Sequence, residues 1–166
     1  MKPKTVGRQG GQISATRAPM QEAGLLAGTS VLTLEGELPV EFLYPGDRII
    51  TRDAGAVPLR DVMAHRVRWQ AVRIGGGTLG DTRPDRDLIV PAAQRLLVRD
   101  WRAMALTGQR QAMIPARSLL DGEFIRMLPW GEMTLYQLIM DAPHVIYASG
   151  LELAARAWTP EAAHAA

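Results

Sequence analysis

Apolar residues in this chain come in short runs closed by turn residues, not in stripes of helical spacing. The run VLTL at 31–34 is followed by Glu35-Gly36-Glu37, the run at 40–44 by Pro45-Gly46-Asp47, and IIT at 49–51 by Asp53-Ala54-Gly55. Glycine supplies a positive φ and proline a fixed one, and neither suits a strand interior, so each cluster marks a chain reversal. Further runs follow at 62–69, 71–74, 87–90, 95–98 and 125–128. Strands of this length, punctuated so regularly, predict an all-β barrel or sandwich.

Helical signals are few. IPARSLL at 114–120, with proline near its start and Asp121-Gly122 past its end, predicts one or two short helical turns. The alanine-rich stretch from Leu151 to Ala166 has partial helical propensity, interrupted at Pro160. Residues 1–22 are polar and Gly-rich without periodicity and predict a flexible tail. The expected organisation is a domain over 23–152 and a second tail over 153–166.

Composition narrows the function classes. At 166 residues and 47% hydrophobic content the chain suits one domain with its own core. It has no cysteine, which excludes disulfides, thiolate metal sites and a cysteine nucleophile. Apart from Lys2 and Lys4 the 19 basic residues are arginines, scattered at Arg48, Arg52, Arg60, Arg66, Arg68, Arg73 and onward, and 17 acids bring the net charge to +2. No basic block is interleaved with aromatics, so nucleic acid is not an expected partner. No apolar run approaches the roughly 20 residues of a membrane span. The basic N-terminus lacks the apolar core of a secretory signal, which makes the cytoplasm the default address and non-classical export the alternative.

Three features invite over-reading. The run GGGTLG at 75–80 fits a phosphate-binding glycine pattern, but the charged loop DTRPDRD follows where a helix must open, so it reads as a flexible turn. His65, His144 and His164 lack metal-ligand spacing; His65 reads as a surface residue, His164 lies in the tail, and His144 stands near a strand start in a structural role. Trp69 and Trp101 read as core or core-edge aromatics, and Met104, Met113 and Met127 as gap fillers. Neither a cofactor nor a metal is expected.

In order along the chain, Gly28-Thr29-Ser30-Val31-Leu32-Thr33, Pro39-Val40-Glu41, Pro45-Gly46-Asp47 and Ile50-Thr51-Arg52-Asp53 resemble the opening of the Hint domain shared by Hedgehog autoprocessing domains and inteins. The resemblance is to the bacterial Hint subtype. It continues through AVRIGGGTLG at 71–80, DLIV at 87–90, RLLV at 95–98, Trp101-Arg102-Ala103, Pro115-Ala116-Arg117 and Asp121-Gly122. It ends with TLYQL at 134–138, Asp141 and HVIYASG at 144–150. The resemblance covers roughly residues 23–152 and implies a flat, horseshoe-like all-β domain whose long strands return to bring the two ends together.

By the same resemblance the chemistry is an N-to-S or N-to-O acyl shift. A first-position cysteine or serine attacks the preceding carbonyl, and the histidine of a T-x-x-H motif helps break the amide. Carried over residue by residue, the nucleophile position falls on Gly24 and the T-x-x-H motif on Pro91-Ala92-Ala93-Gln94. Two later histidine positions fall on Gln137 and Pro143, the second being one residue from His144. Glycine has nothing to attack with, and glutamine is no general acid near neutral pH. The resemblance therefore implies a degenerate autoprocessing domain, not an enzyme, acting as a scaffold or binding module for an unidentified protein partner. The alternative is self-cleavage by a displaced nucleophile, with Thr29 or Ser30 as the nearest hydroxyls and His144 as the base.

Overall fold

The computed structural model describes residues 23–157; the expected N-terminal tail, residues 158–166 and His164 lie outside the described residues. The described chain forms β1 (Leu25–Leu26), β2 (Ser30–Thr33), β3 (Gly36–Pro39), β4 (Arg48–Thr51), β5 (Gly55–Pro58), β6 (Asp61–Trp69) and β7 (Ala71–Ile74). It continues with β8 (Leu88–Pro91), β9 (Arg95–Val98), β10 (Ala112–Pro115), β11 (Ile125–Met127), β12 (Gly131–Met140), β13 (His144–Ala148) and β14 (Leu151–Ala157). Eleven of these strands join one sheet, and β11, β7 and β8 form a second. The all-β expectation holds.

Turn chemistry sets the hairpins. At the β2–β3 reversal Thr33 Oγ1 donates to Gly36 O at 2.7 Å and accepts from Glu35 N, and Gly36 takes φ 104°, which a side chain disfavours. Thr51 repeats the device between β4 and β5, donating to Gly55 O and accepting from Ala54 N. Both threonines are buried, so the hydroxyls serve the turn backbone where water cannot.

The long strand β12 organises the site. It pairs antiparallel with β6 from Gly131↔Trp69 to Ile139↔Asp61, takes β1 antiparallel at Leu25↔Tyr136, and meets β14 in parallel at Ile139↔Arg156. The first described strand and the last thus flank one strand. Val31, Ile49, Val72, Ile74, Leu96, Ile125, Ile146 and Leu153 are among the buried core residues, drawn from both sheets.

Three expectations are corrected. The run at 40–44 is not a strand: Pro39 leads into a 3-10 turn, Val40–Phe42, that buries Val40. The helical signal within 114–120 is borne out as a single 3-10 turn, Ala116–Leu119, after an extended stretch through Pro115. The alanine-rich stretch begins as β14, not helix, because pairing with β13 from His144↔Ala155 to Ala148↔Leu151 outweighs alanine's propensity. An unanticipated α-helix, Trp101–Thr107, is capped by the Asp100 side chain accepting from Arg102 N and stopped by Gly108 at φ 76°. That helix leaves Trp101 71% exposed and Met104 50%, so neither is a core residue, whereas Trp69 is buried. No helix among the described residues is long and apolar enough to cross a membrane.

Candidate functional site

Gly24 lies just before β1, against β12. A Cβ built on it would stand 2.9 Å from the Tyr136 backbone oxygen and 3.4 Å from Gln137 Cγ. Real Cβ atoms do not approach a carbonyl oxygen that closely, so β12 excludes any side chain at this position unless the backbone shifts. A side chain at this position therefore requires a backbone shift, whatever its chemistry.

Gln94 and Gln137 converge on the same place. Gln137, buried on β12, donates from Nε2 to the Ala23 carbonyl oxygen at 2.9 Å. Gln94 is fully buried and donates from Nε2 to both Arg95 O and Ala154 O at 2.9 Å. Two carbonyl acceptors on one amide group fix which end is nitrogen. Pro91, at the end of β8, accepts from Gln94 N at 3.0 Å and closes the turn that delivers Gln94 inward. Between them lies a cavity of about 20 Å³, room for about one water molecule, lined by Ala23, Gly24, Gln94, Gln137, Ile146 and Ala154 among others.

The sequence-predicted positions Gly24, Gln94 and Gln137 are therefore neighbours in space, carried there by β1, the β8–β9 turn and β12. A model of the Hint domain family matches residues 23–155. This chain belongs to that family. The Hint domain fold recurs in solved structures: a bacterial intein-like domain from Clostridium thermocellum, 12% identical with a TM-score of 0.55, covers 82% of this chain and 100% of its own. A DnaB intein from Synechocystis sp. PCC 6803, 11% identical with a TM-score of 0.57, covers 81% and 99%. The TvoVMA intein, 15% identical with a TM-score of 0.56, covers 80% and 96%. Curated proteins give no match.

In this Hint domain the cavity walls carry two carboxamides and the phenol-bearing Tyr136 but no thiol, aliphatic hydroxyl, imidazole or carboxylate. Amides donate and accept hydrogen bonds; they neither ionise nor shuttle protons near neutral pH. A neutral phenol is a weak nucleophile compared with a thiolate.

The fallback groups stand apart from the cavity. Thr29 is buried and its carbonyl accepts from Val40 N, while Ser30 N donates to Ser149 Oγ at 3.2 Å. His144 Nδ1 lies 2.8 Å from Asp53 Oδ2, and Asp53 Oδ1 accepts from Val145 N at 3.1 Å. Partial burial raises the Asp53 pKa, but the Val145 and His144 hydrogen bonds outweigh it and hold the carboxyl below its ordinary value. This pair ties the β4–β5 turn to β13. The one signal for it in the sequence is that each partner adjoins a run read as extended, which gives no pairing. Tyr136 escaped sequence reasoning because the strand 131–140 has no turn residues inside it to set its register. Among the described residues no group of three His, Asp or Glu side chains is placed to hold a metal ion.

Proposed function

We propose that this Hint domain performs no self-cleavage and serves as a scaffold or binding module for a protein partner, with its family's reaction centre converted into a structural joint. The observation that carries the reading is the steric occupation of the Gly24 Cβ position by the Tyr136 carbonyl oxygen. An acyl shift needs a hydroxyl or thiol one bond beyond that Cβ, aimed at the preceding carbonyl. The Ala23 carbonyl is present and has a donor, Gln137 Nε2, at 2.9 Å. A donor alone polarises a carbonyl without breaking it; nucleophile and proton source are also required. Apart from the phenol of Tyr136, a weak nucleophile, the residues lining the cavity offer neither. The displaced-nucleophile alternative, through Thr29 or Ser30 with His144, draws no support from the geometry, because none of the three lines the cavity.

Intact mass of the full-length chain, with and without hydroxylamine or thiol, tests this directly. A single unchanged mass under both conditions is expected. Fragments with a new N-terminus near Ser30, abolished by Ser30→Ala or His144→Ala, would replace the scaffold reading with an active domain.

A further inference from the structure

Away from the cavity, four separate segments bring one buried carboxylate and three arginines together. Glu152, the second residue of β14, is 3% exposed. Its Oε2 accepts from Arg52 Nη1 at 3.1 Å, and its Oε1 lies 3.3 Å from Arg83 Nη1 and also pairs with Arg99 Nη2. Arg52 follows β4, Arg83 belongs to the loop 75–87, and Arg99 follows β9. A carboxylate taken out of water needs a cation beside it, and one guanidinium suffices for charge. Three guanidinium charges against one carboxylate leave a surplus whose mutual repulsion the fold must bear. Asp85 borders the same region, packing against Gly150, but makes no ion pair with any of the three among the described residues.

The three side chains remain 36%, 43% and 40% exposed, so their outer faces are open to solvent while their inner ones are anchored on Glu152. A guanidinium has five N–H donors in a fixed plane that match the oxygens of phosphate, and pinning each through a buried carboxylate removes much of the rotamer freedom that binding otherwise costs. We propose that Arg52, Arg83 and Arg99, preorganised on Glu152, form a binding site for a dianionic oxyanion, namely phosphate, free or as a monoester. A dianion matches the surplus; a monocarboxylate leaves part of it uncompensated. The site is separate from the cavity around Gly24 and stands whether or not the domain cleaves itself.

Titration of the full-length chain with inorganic phosphate at low ionic strength, followed by calorimetry and by the arginine Nε–H resonances, tests the assignment against acetate and chloride at matched ionic strength. Saturable binding of phosphate is expected, with the Arg83→Gln and Arg99→Gln variants about tenfold or more weaker. Glu152→Gln weakens the anchor that holds the three guanidinium planes and is expected to bind phosphate more weakly; if it does not fold, the half-exposed Arg83→Gln carries the comparison. Competition by O-phosphoserine marks a monoester as the occupant, and its exclusion marks the free ion. Phosphate binding no tighter than acetate or chloride, or unchanged in both arginine variants, overturns the site and leaves the cluster a structural ion network.

Discussion

At Gly24 the decisive quantity is the 2.9 Å between a notional Cβ and the Tyr136 carbonyl oxygen. Gly24→Ala is expected to lower stability by about 1–3 kcal/mol, read from thermal or denaturant unfolding, because β12 backbone must move to admit the methyl. Installing both missing groups, Gly24→Cys with Gln94→His, is expected to yield an uncleaved chain that is less stable than the parent; efficient cleavage there would show that the strand yields easily. Gln94 makes a separate demand. Gln94→Leu keeps the volume but strips donors from Arg95 O and Ala154 O, and should cost about 1–3 kcal/mol by the same unfolding measurement. The family resemblance implied that Gly24, Gln94 and Gln137 stand where reactive groups are expected. It did not show that a side chain at Gly24 meets a steric obstacle, because the obstructing atom is backbone 112 positions away, and backbone oxygens leave no mark in residue identity.

Elements were legible in proportion to how locally they are determined. The reversals at β2–β3 and β4–β5 are encoded by adjacent threonine and glycine and were legible as turns, but the return strands β3 and β5 were not, because they are short and begin on the turn glycine itself. The helix Trp101–Thr107 carried its own punctuation, Asp100 before and Gly108 after, but at seven residues it is too short for an apolar stripe to stand out. Strand β14 was obscured for the opposite reason: its alanines favour helix locally, and only β13 and β12 alongside make it a strand. At the far end of β12, Trp69 packs edge-on against Trp130, centroids 5.2 Å apart at 86°, and its buried Nε1 has no hydrogen-bond partner among the described residues. An unpaired indole N–H offsets part of what the ring contributes. Trp69→Phe is therefore expected to change stability by less than about 1 kcal/mol, against about 3–5 for Trp69→Ala. A loss on Trp69→Phe comparable to that of Trp69→Ala would mean that the N–H is bonded, with the Trp130 ring as its acceptor.

For the molecule as a whole, three carboxylates with lowered pKa values hold turns in both sheets. Asp53 joins the β4–β5 turn to β13; for it, partial burial opposes ionisation but the Val145 amide and His144 prevail. At Asp121 burial again opposes, and the amides of Ile125, Glu123 and Phe124, all 2.8 Å from one oxygen, prevail with Arg102 assisting. Asp87 is lowered by the Gly76 amide and then by Arg73. Because each folded value lies below the ordinary 3.8, the unfolded chain takes up protons first as pH falls. Their stabilisation is thus fully present above the ordinary carboxylate range and lost as pH drops through the lowered values. Thermal midpoints should be flat from neutral down to about pH 5 and then decline. The three contributions separate by mechanism. Salt near 1 M, where screening acts over about 3 Å, should weaken the exposed Arg73–Asp87 attraction while sparing the amide bonds to Asp121. Asp121→Asn keeps the shape but removes the titrating charge, so its midpoint should be lower at neutral pH, by about 1 kcal/mol in stability, and decline less on acidification. A variant whose acid profile runs parallel to the parent's would show that the 121–125 turn is not where the protons act, and would shift the acid sensitivity to the Asp53 joint between β4 and β13.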